Sequence, residues 1–339
     1  MAVLIATHDV MRLHDTGPGH PERPDRLRAV LDGIGQLDAE DEIVWLEAGE
    51  APREAIERVH PAGLVDNLAA LASAGGGAID PDTFVSERSY EAARRAAGAG
   101  LDLIDALRAG QGDLGWSIVR PPGHHALADQ QMGFCLLNNI AVAARSLTAQ
   151  GERVAIVDVD AHHGNGTQAI FYDDPEVLFV SLHQYPWYPF TGRPDEVGTE
   201  GARGTTVNVA MPAGTAGRAY RRAIDDVVVP VLERHRPDWV LVSAGFDGHH
   251  KDPITDLGLS SADYADLIGR IVAVVPKGRR VLFLEGGYDL EALRDSVASV
   301  TANALGVAHR PEPPTAGGPG EDMVELARAI HLRGGPGDT

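Results

Sequence analysis

Short, β-branched apolar runs recur along the chain at Val3–Ala6, Ile43–Leu46, Trp116–Val119, Val154–Asp158, Val177–Leu182, Thr205–Val209, Trp239–Ser243 and Val281–Leu284. Most are apolar throughout rather than alternating, as expected of strands buried on both faces. Between most of them lie alanine-rich segments with apolar residues at helical spacing. The clearest are Glu87–Arg108, Asn139–Gln150, Arg218–Arg236, Ser260–Val275 and Leu290–Leu305. Strands alternating with helices predict an α/β fold with a parallel sheet covered on both faces. The pattern breaks once, at His309–Gly320, where Pro and Gly accumulate. That stretch reads as a linker and Glu321–Leu332 as a terminal helix. The expected division is one large domain over residues 1–308, with residues 309–339 appended to it.

Composition narrows the picture. Of 339 residues, 44% are hydrophobic, enough for a sizeable core. Forty-nine acids against 29 Lys and Arg give a net charge of -20, which argues against direct nucleic-acid binding and is compatible with a cationic substrate, and equally with solubility alone. The single cysteine, Cys135, excludes an intramolecular disulfide and suits a reducing compartment. Met1–Ile5 is apolar but short and lacks a basic flank, so it reads as a first strand rather than a signal peptide. No apolar run approaches the roughly 18 residues of a membrane span. The expectation is a soluble cytoplasmic protein with no membrane partner, homo-oligomerisation being left open.

In an open parallel sheet, ligands bind beyond the carboxyl ends of the strands. Five of the expected strands end in chemically active residues: Arg120-Pro-Pro-Gly-His-His-Ala, Asp158-Val-Asp-Ala-His-His-Gly-Asn-Gly-Thr, Ser181-Leu-His, Ser243-Ala-Gly-Phe-Asp and Glu285-Gly-Gly-Tyr. Unrelated caps and turns explain any one of these but explain all five poorly. Asp158, Asp160 and His162, at i, i+2 and i+4, fall on one side of an extended strand end. Two carboxylates and an imidazole so close call for a cation among them, and Asp247 supplies a further ligand from another strand. Taken singly, Asp247 would be a helix cap and the histidine a structural hydrogen-bonder. His124 and His125 can divide general-base and general-acid work if their partners differ, and Asp158 and Asn165 are candidate partners of unequal charge. Tyr288, after two glycines, can donate a hydrogen bond to a carbonyl that gains negative charge; packing at a loop edge is its bland alternative.

Together these residues resemble the zinc-dependent histone deacetylase superfamily, which includes bacterial acetylpolyamine amidohydrolases and acetoin-utilisation proteins. The resemblance runs from His20-Pro-Glu-Arg-Pro-Asp-Arg-Leu to about Leu305. It implies a single arginase/deacetylase-type α/β domain with an eight-stranded parallel sheet. It implies one zinc ion on Asp160, His162 and Asp247, with paired catalytic histidines at His124 and His125 and a carbonyl-polarising Tyr288. It also implies a structural potassium ion near Asp158, Asp160, His162, Ser181 and Leu182. Phe134 and Tyr188 match the walls of an acyl-lysine tunnel, with Gly133, Gly287 and Ile254 as further substrate contacts. Two departures stand out. Asn165 replaces the Asp of class I enzymes, placing the chain nearer the class II and bacterial branches. Phe190 occupies a position that is usually Gly, in Tyr188-Pro-Phe-Thr-Gly.

Three rival readings fare worse. A two-manganese ureohydrolase needs more bridging carboxylates, yet Gly245 and His249 flank Asp247 and no Asp follows His162 two places on. A non-enzymatic sensor of acylated ligands predicts loss of a proton-transfer group or of Tyr288, and none is missing. A nucleic-acid module conflicts with the charge. The expected function is zinc-dependent removal of acetyl or other acyl groups from lysine in proteins or peptides, with small acetylated polyamines as the alternative substrate. Polyamine-selective members of the resembled superfamily can carry Glu at the tunnel mouth. Here Ile254 takes that place, and nearby Lys251 is expected to discourage a polycation.

Overall fold

The computed structural model describes residues 2–332; Met1 and residues 333–339, the far end of the expected tail, lie outside the described residues. The strands are β1 (Val3–Thr7), β2 (Ile43–Glu47), β3 (Gly76–Ala78), β4 (Phe84–Ser86), β5 (Leu114–Ser117), β6 (Val154–Asp158), β7 (Val177–Gln184), β8 (Thr206–Met211), β9 (Trp239–Ala244) and β10 (Arg280–Leu284). The helices are α1 (Asp25–Ile34), α2 (Arg53–Glu57), α3 (Ala62–Ser73), α4 (Ser89–Arg108), α5 (Asn139–Thr148), α6 (Asn165–Phe171), α7 (Gly217–Ala223), α8 (Val229–His235), α9 (Ser261–Val272), α10 (Leu290–Leu305) and α11 (Glu321–His331).

Eight strands form one all-parallel sheet in the order β2-β1-β5-β10-β9-β6-β7-β8. Every residue of β5, β6, β7, β8 and β9 is buried, which is why these strands read as continuous apolar runs. The five strands whose ends carry the motifs (β5, β10, β9, β6 and β7) are consecutive neighbours in the sheet. A parallel sheet aligns their carboxyl ends, so residues far apart in sequence meet along one edge.

Several elements differ from the sequence expectation. The expected helix over Arg218–Arg236 is split into α7 and α8 by a π turn at Ile224–Val228. Pro230, in the first turn of α8, has no N–H, and its ring crowds the carbonyl four residues back, so the wider turn accommodates it. The two-stranded β3–β4 hairpin was not anticipated, because three-residue strands leave no periodic signal. The Pro/Gly-rich stretch is stitched to the domain. Thr315 bonds to Asp263, and Arg221 donates to the Thr315 carbonyl. Beyond it, α11 packs along the β8 side of the sheet.

Candidate active site

The site is assembled at the carboxyl edge of the five adjacent strands. Past β5, Gly123 and His124 donate their backbone N–H groups to Glu285 Oε2 at the end of β10 (2.7 and 3.2 Å), fixing the histidine loop. His124 Nδ1 lies 2.9 Å from Asp158 Oδ2, and His125 Nδ1 lies 2.7 Å from Asn165 Oδ1. The two rings are 4.0 Å apart between centroids, and both residues are buried. Burial disfavours charge on His124, but Asp158 and Asp160 outweigh it and hold its pKa well above the ordinary value. His125 moves the other way: burial first, then the charges of His124 and His162, keep it well below. Unequal partners therefore give unequal histidines, as their spacing beside an acid and an amide suggested.

Asp160, His162 and Asp247 bring one ligand atom each within 4.8 Å of one another, and all three are buried. His162 Nδ1 is 2.8 Å from Asp247 Oδ2 and 3.2 Å from Asp160 Oδ1. The remaining carboxylate oxygens are held by backbone: Ala161 donates to Asp247 Oδ1 and Gly286 to Asp160 Oδ2, both at 2.8 Å. A Cβ at Gly286 would lie 2.4 Å from Asp247 Oδ2, so only glycine lets that N–H approach. Asp158 does not join this trio. Its carboxylate turns to His124 and to the N–H of Asp160 (3.1 Å). In the sheet register it lies beside Ser181, the residue before Leu182, and Ser181 Oγ contacts His183 Nδ1 at 2.9 Å.

The donor set suits a divalent cation: two carboxylates and an imidazole, buried together beside Asp158 and Glu285, with no Lys or Arg in ion-pair contact with the trio among the described residues. A second trio, His249, His250 and Glu312, is gathered as closely but is already satisfied. His249 Nδ1 accepts from the Lys251 N–H, so its Nε2 carries the proton donated to Glu312 (2.8 Å). The Lys251 ammonium also sits 3.3 Å from Glu312. That trio has its own cation.

Above the buried trio opens a cavity of about 540 Å³. His124, His125, His162 and Tyr288 line it, with Gly133, Phe134, Tyr188 and Ile254 among its walls. Tyr188 stands edge-on to His125 and His162 (5.4 and 6.1 Å), and Phe134 edge-on to Tyr288 (5.8 Å). Gly287 is not part of the lining; its carbonyl faces away and accepts from Arg26 Nε at 2.7 Å. Lys251 is not part of it either, being paired with Glu312 and Glu291.

Sequence reasoning missed several groups that hold this arrangement. Arg26 lies over the Tyr288 ring, 5.0 Å from its centroid, and also donates to the Glu285 carbonyl. Glu22, between Arg26 and Arg120, is buried with them. Asp252 accepts from the N–H groups of Tyr288 and Asp289 at 2.6 and 3.1 Å. Among the described residues Asp82 is the one carboxylate lining the cavity, and Trp187 stands in its wall. Glu22 and Arg26 lie within the quoted His20 motif, but the link from Arg26 to Tyr288 spans 262 positions and leaves no local signal.

Residues 20–304 match the profile of the histone deacetylase domain. The chain belongs to the histone deacetylase family. A probable deacetylase of Archaeoglobus fulgidus is 41% identical over 297 residues, covering 86% of this chain and 82% of that one. The histone deacetylase-like amidohydrolase of Pseudomonas aeruginosa is 41% identical over 280 residues, covering 80% and 73% respectively. The crystal structure of the HDA15 HD domain is similar with a TM-score of 0.90 at 35% identity, over 98% of this chain and 94% of that chain. The function is therefore that of a histone deacetylase-like amidohydrolase, on a single α/β domain of the family's type. No helix among the described residues is long and apolar enough to cross a membrane.

Proposed function

We propose that the protein is a zinc-dependent deacylase that removes acetyl groups from the side-chain amine of lysine in proteins or peptides. The observation that carries the reading is the union, at one cavity floor, of a carboxylate-rich metal trio with a histidine pair of opposite polarity. Asp160, His162 and Asp247 would hold the ion. When bound, it would supply Lewis acidity toward an acyl carbonyl and an attacking water. Asp158, Ser181 and Leu182, with Asp160 and His162, are the residues proposed to hold a structural potassium ion, partly through backbone oxygens.

The chain's own groups account for the proton movements. Asn165 Oδ1 accepts from His125 Nδ1–H, a tautomer assigned from this partner, which leaves His125 Nε2 bare to take a proton from the attacking water. Asp158 stabilises the charged form of His124, whose Nε2 can pass a proton to the departing amine. The Tyr288 phenol donates to the carbonyl oxygen as negative charge develops there. Edge-on Phe134 and Tyr188 confine the methylene stem of the substrate and keep water from it. The products are acetate and a free amine.

Support for lysine over a polyamine comes from the wall. Ile254 offers no charge to a distal ammonium but packs against an aliphatic stem. Lys251 contributes nothing to the choice, since two acids already hold it. Asp82 favours the second reading, an acetylpolyamine amidohydrolase, because a carboxylate at the cavity attracts a second amine. Acidic composition and the buried Cys135 support a cytoplasmic setting without nucleic-acid contact. The test compares kcat/KM for an acetyl-lysine peptide with that for acetylputrescine and acetylspermidine on zinc-loaded protein. A clear preference for the peptide is expected; a clear preference for the acetylpolyamines would replace this reading with the second.

A further inference from the structure

Phe190 combines three features that a structural role does not explain. Its φ of 65° lies in the left-handed region, which a bulky side chain occupies only under constraint. It is 73% exposed, so burial in the free protein offsets little of that strain. It also lines the active-site cavity, unlike the other large hydrophobic residues that stand exposed among the described residues.

The surrounding chain holds the conformation in place. The Phe190 N–H donates to the Trp187 carbonyl at 2.7 Å, closing a tight turn. Trp187 Nε1 donates to the Ile254 carbonyl at 3.1 Å, tying that turn to the opposite wall. On the other side, Thr191 Oγ1 contacts His163 Nδ1 at 2.8 Å, and the Gly192 carbonyl accepts from His183 Nε2 at 3.0 Å. Both histidines are buried. The backbone of Phe190 is thus held in a strained conformation that presents its side chain to solvent at the cavity wall, the arrangement expected where strain serves a binding surface.

We propose that Phe190 is a specificity-determining residue that recognises an apolar side chain adjacent to the acetyl-lysine of a peptide substrate. This rests on the lysine reading above. The acetyl group is consumed at the floor, so the mouth meets what the departing amine is attached to. Trp187, Phe190 and Ile254 form an aromatic and aliphatic lip there, with Asp82 the one acid in the lining among the described residues. Such a lip gains by covering an apolar neighbour and gains little from a glycine. Because the backbone of the turn is already held, no loop need be ordered on contact.

The experiment uses three acetyl-lysine peptides that differ only in the residue next to the acetyl-lysine: Leu, Gly or Arg. The wild-type protein should prefer the Leu peptide over the Gly peptide by about tenfold in kcat/KM, the scale of one apolar contact. Phe190→Gly should collapse that ratio toward one, chiefly through KM, while the melting temperature stays level or rises because glycine accepts this φ freely. Phe190→Leu should keep part of the preference. Wild type that turns over both peptides without preference, or Phe190→Gly that keeps the ratio, overturns the inference alone. So does a fall in melting temperature in Phe190→Gly, which would make the ring a packing element. A preference for the Arg peptide that Phe190→Gly abolishes would assign the ring to a cation and overturn the apolar assignment. Turnover of acetylpolyamines with none of any peptide overturns the lysine reading and this inference together.

Discussion

Glu22→Gln tests whether the buried ion network beneath the Tyr288 loop is held by charge. Glu22, Arg26 and Arg120 are fully buried. Glu22 Oε1 accepts from Arg26 Nη1 at 3.0 Å and from Arg120 Nε at 2.5 Å, and Oε2 accepts from Arg120 Nη2 at 2.7 Å. A glutamine removes the anion and turns an amide NH₂ toward a guanidinium. Burial alone would raise the Glu22 pKa, but Arg120 and Arg26 overcome it and lower it from 4.5 to about 2. That depression corresponds to about 3 kcal/mol of folding stability, which agrees with the roughly 3–5 kcal/mol expected for breaking a buried pair. At about 2 °C per kcal/mol for a chain of this size, the melting temperature should drop by about 6–10 °C near neutral pH. The sign of the pH dependence follows from a depressed folded-state pKa. The stabilisation is complete above about 4.5 and is lost as pH falls toward about 2. Equilibrium urea unfolding of wild type and variant between pH 3 and 7 reads this directly. The gap between them should be widest at pH 7 and fall to less than half by about pH 3. A gap below about 1 kcal/mol at pH 7, or one that does not narrow in acid, would refute the reasoning.

Tyr288→Phe removes only a hydroxyl, so kcat should fall on the order of 10²–10³ with little change in fold; a change confined to KM would make the phenol a uniform binding contact instead. Chelation should lower the melting temperature and added Zn²⁺ should restore it, the bound ion contributing about 4 kcal/mol of stability once free metal exceeds its dissociation constant a thousandfold. Asp247→Asn should blunt that restoration, and two ions about 3.5–4 Å apart would point to a two-metal site.

How much of this was legible in the sequence depended on the range of the interaction. The central strands of the sheet were readable because parallel strands buried on both faces write long apolar runs, and the motifs were readable because each sits directly after such a run. Asp160 and His162 are two residues apart, so their meeting needed no knowledge of the fold. The place of Asp247 followed from its being the residue just beyond another strand. Glu285 was visible as a strand-end acid, yet its role in fixing the loop of His124 depends on β10 lying beside β5, a fact of strand order. Arg26, on α1, reaches Tyr288 only after the chain has closed. Gly287 followed the opposite course: its neighbours belong to the site, but the backbone turns its carbonyl away toward Arg26. Direction within a loop is set by tertiary contacts that periodicity does not encode.

The loop between β9 and α9 shows why those contacts matter to the chemistry. It carries Asp247 at one end and Ile254 in the cavity wall. Thr255 Oγ1 donates to the Asp247 carbonyl, joining the proposed ligand to the wall within the loop. Asp252 receives the N–H of Tyr288, so the same loop also sets the height of the phenol. Gln184, at the end of β7, accepts from the Asp256 N–H at 2.8 Å and steadies the far side. From outside, Glu312 receives His249 and the N–H of Ser261, which brings the Pro/Gly-rich stretch into contact with this loop. The proposed metal ligand, substrate wall and oxyanion donor therefore share one brace. A disturbance of that brace should move all three groups together, and it would act through the backbone of residues that touch no substrate.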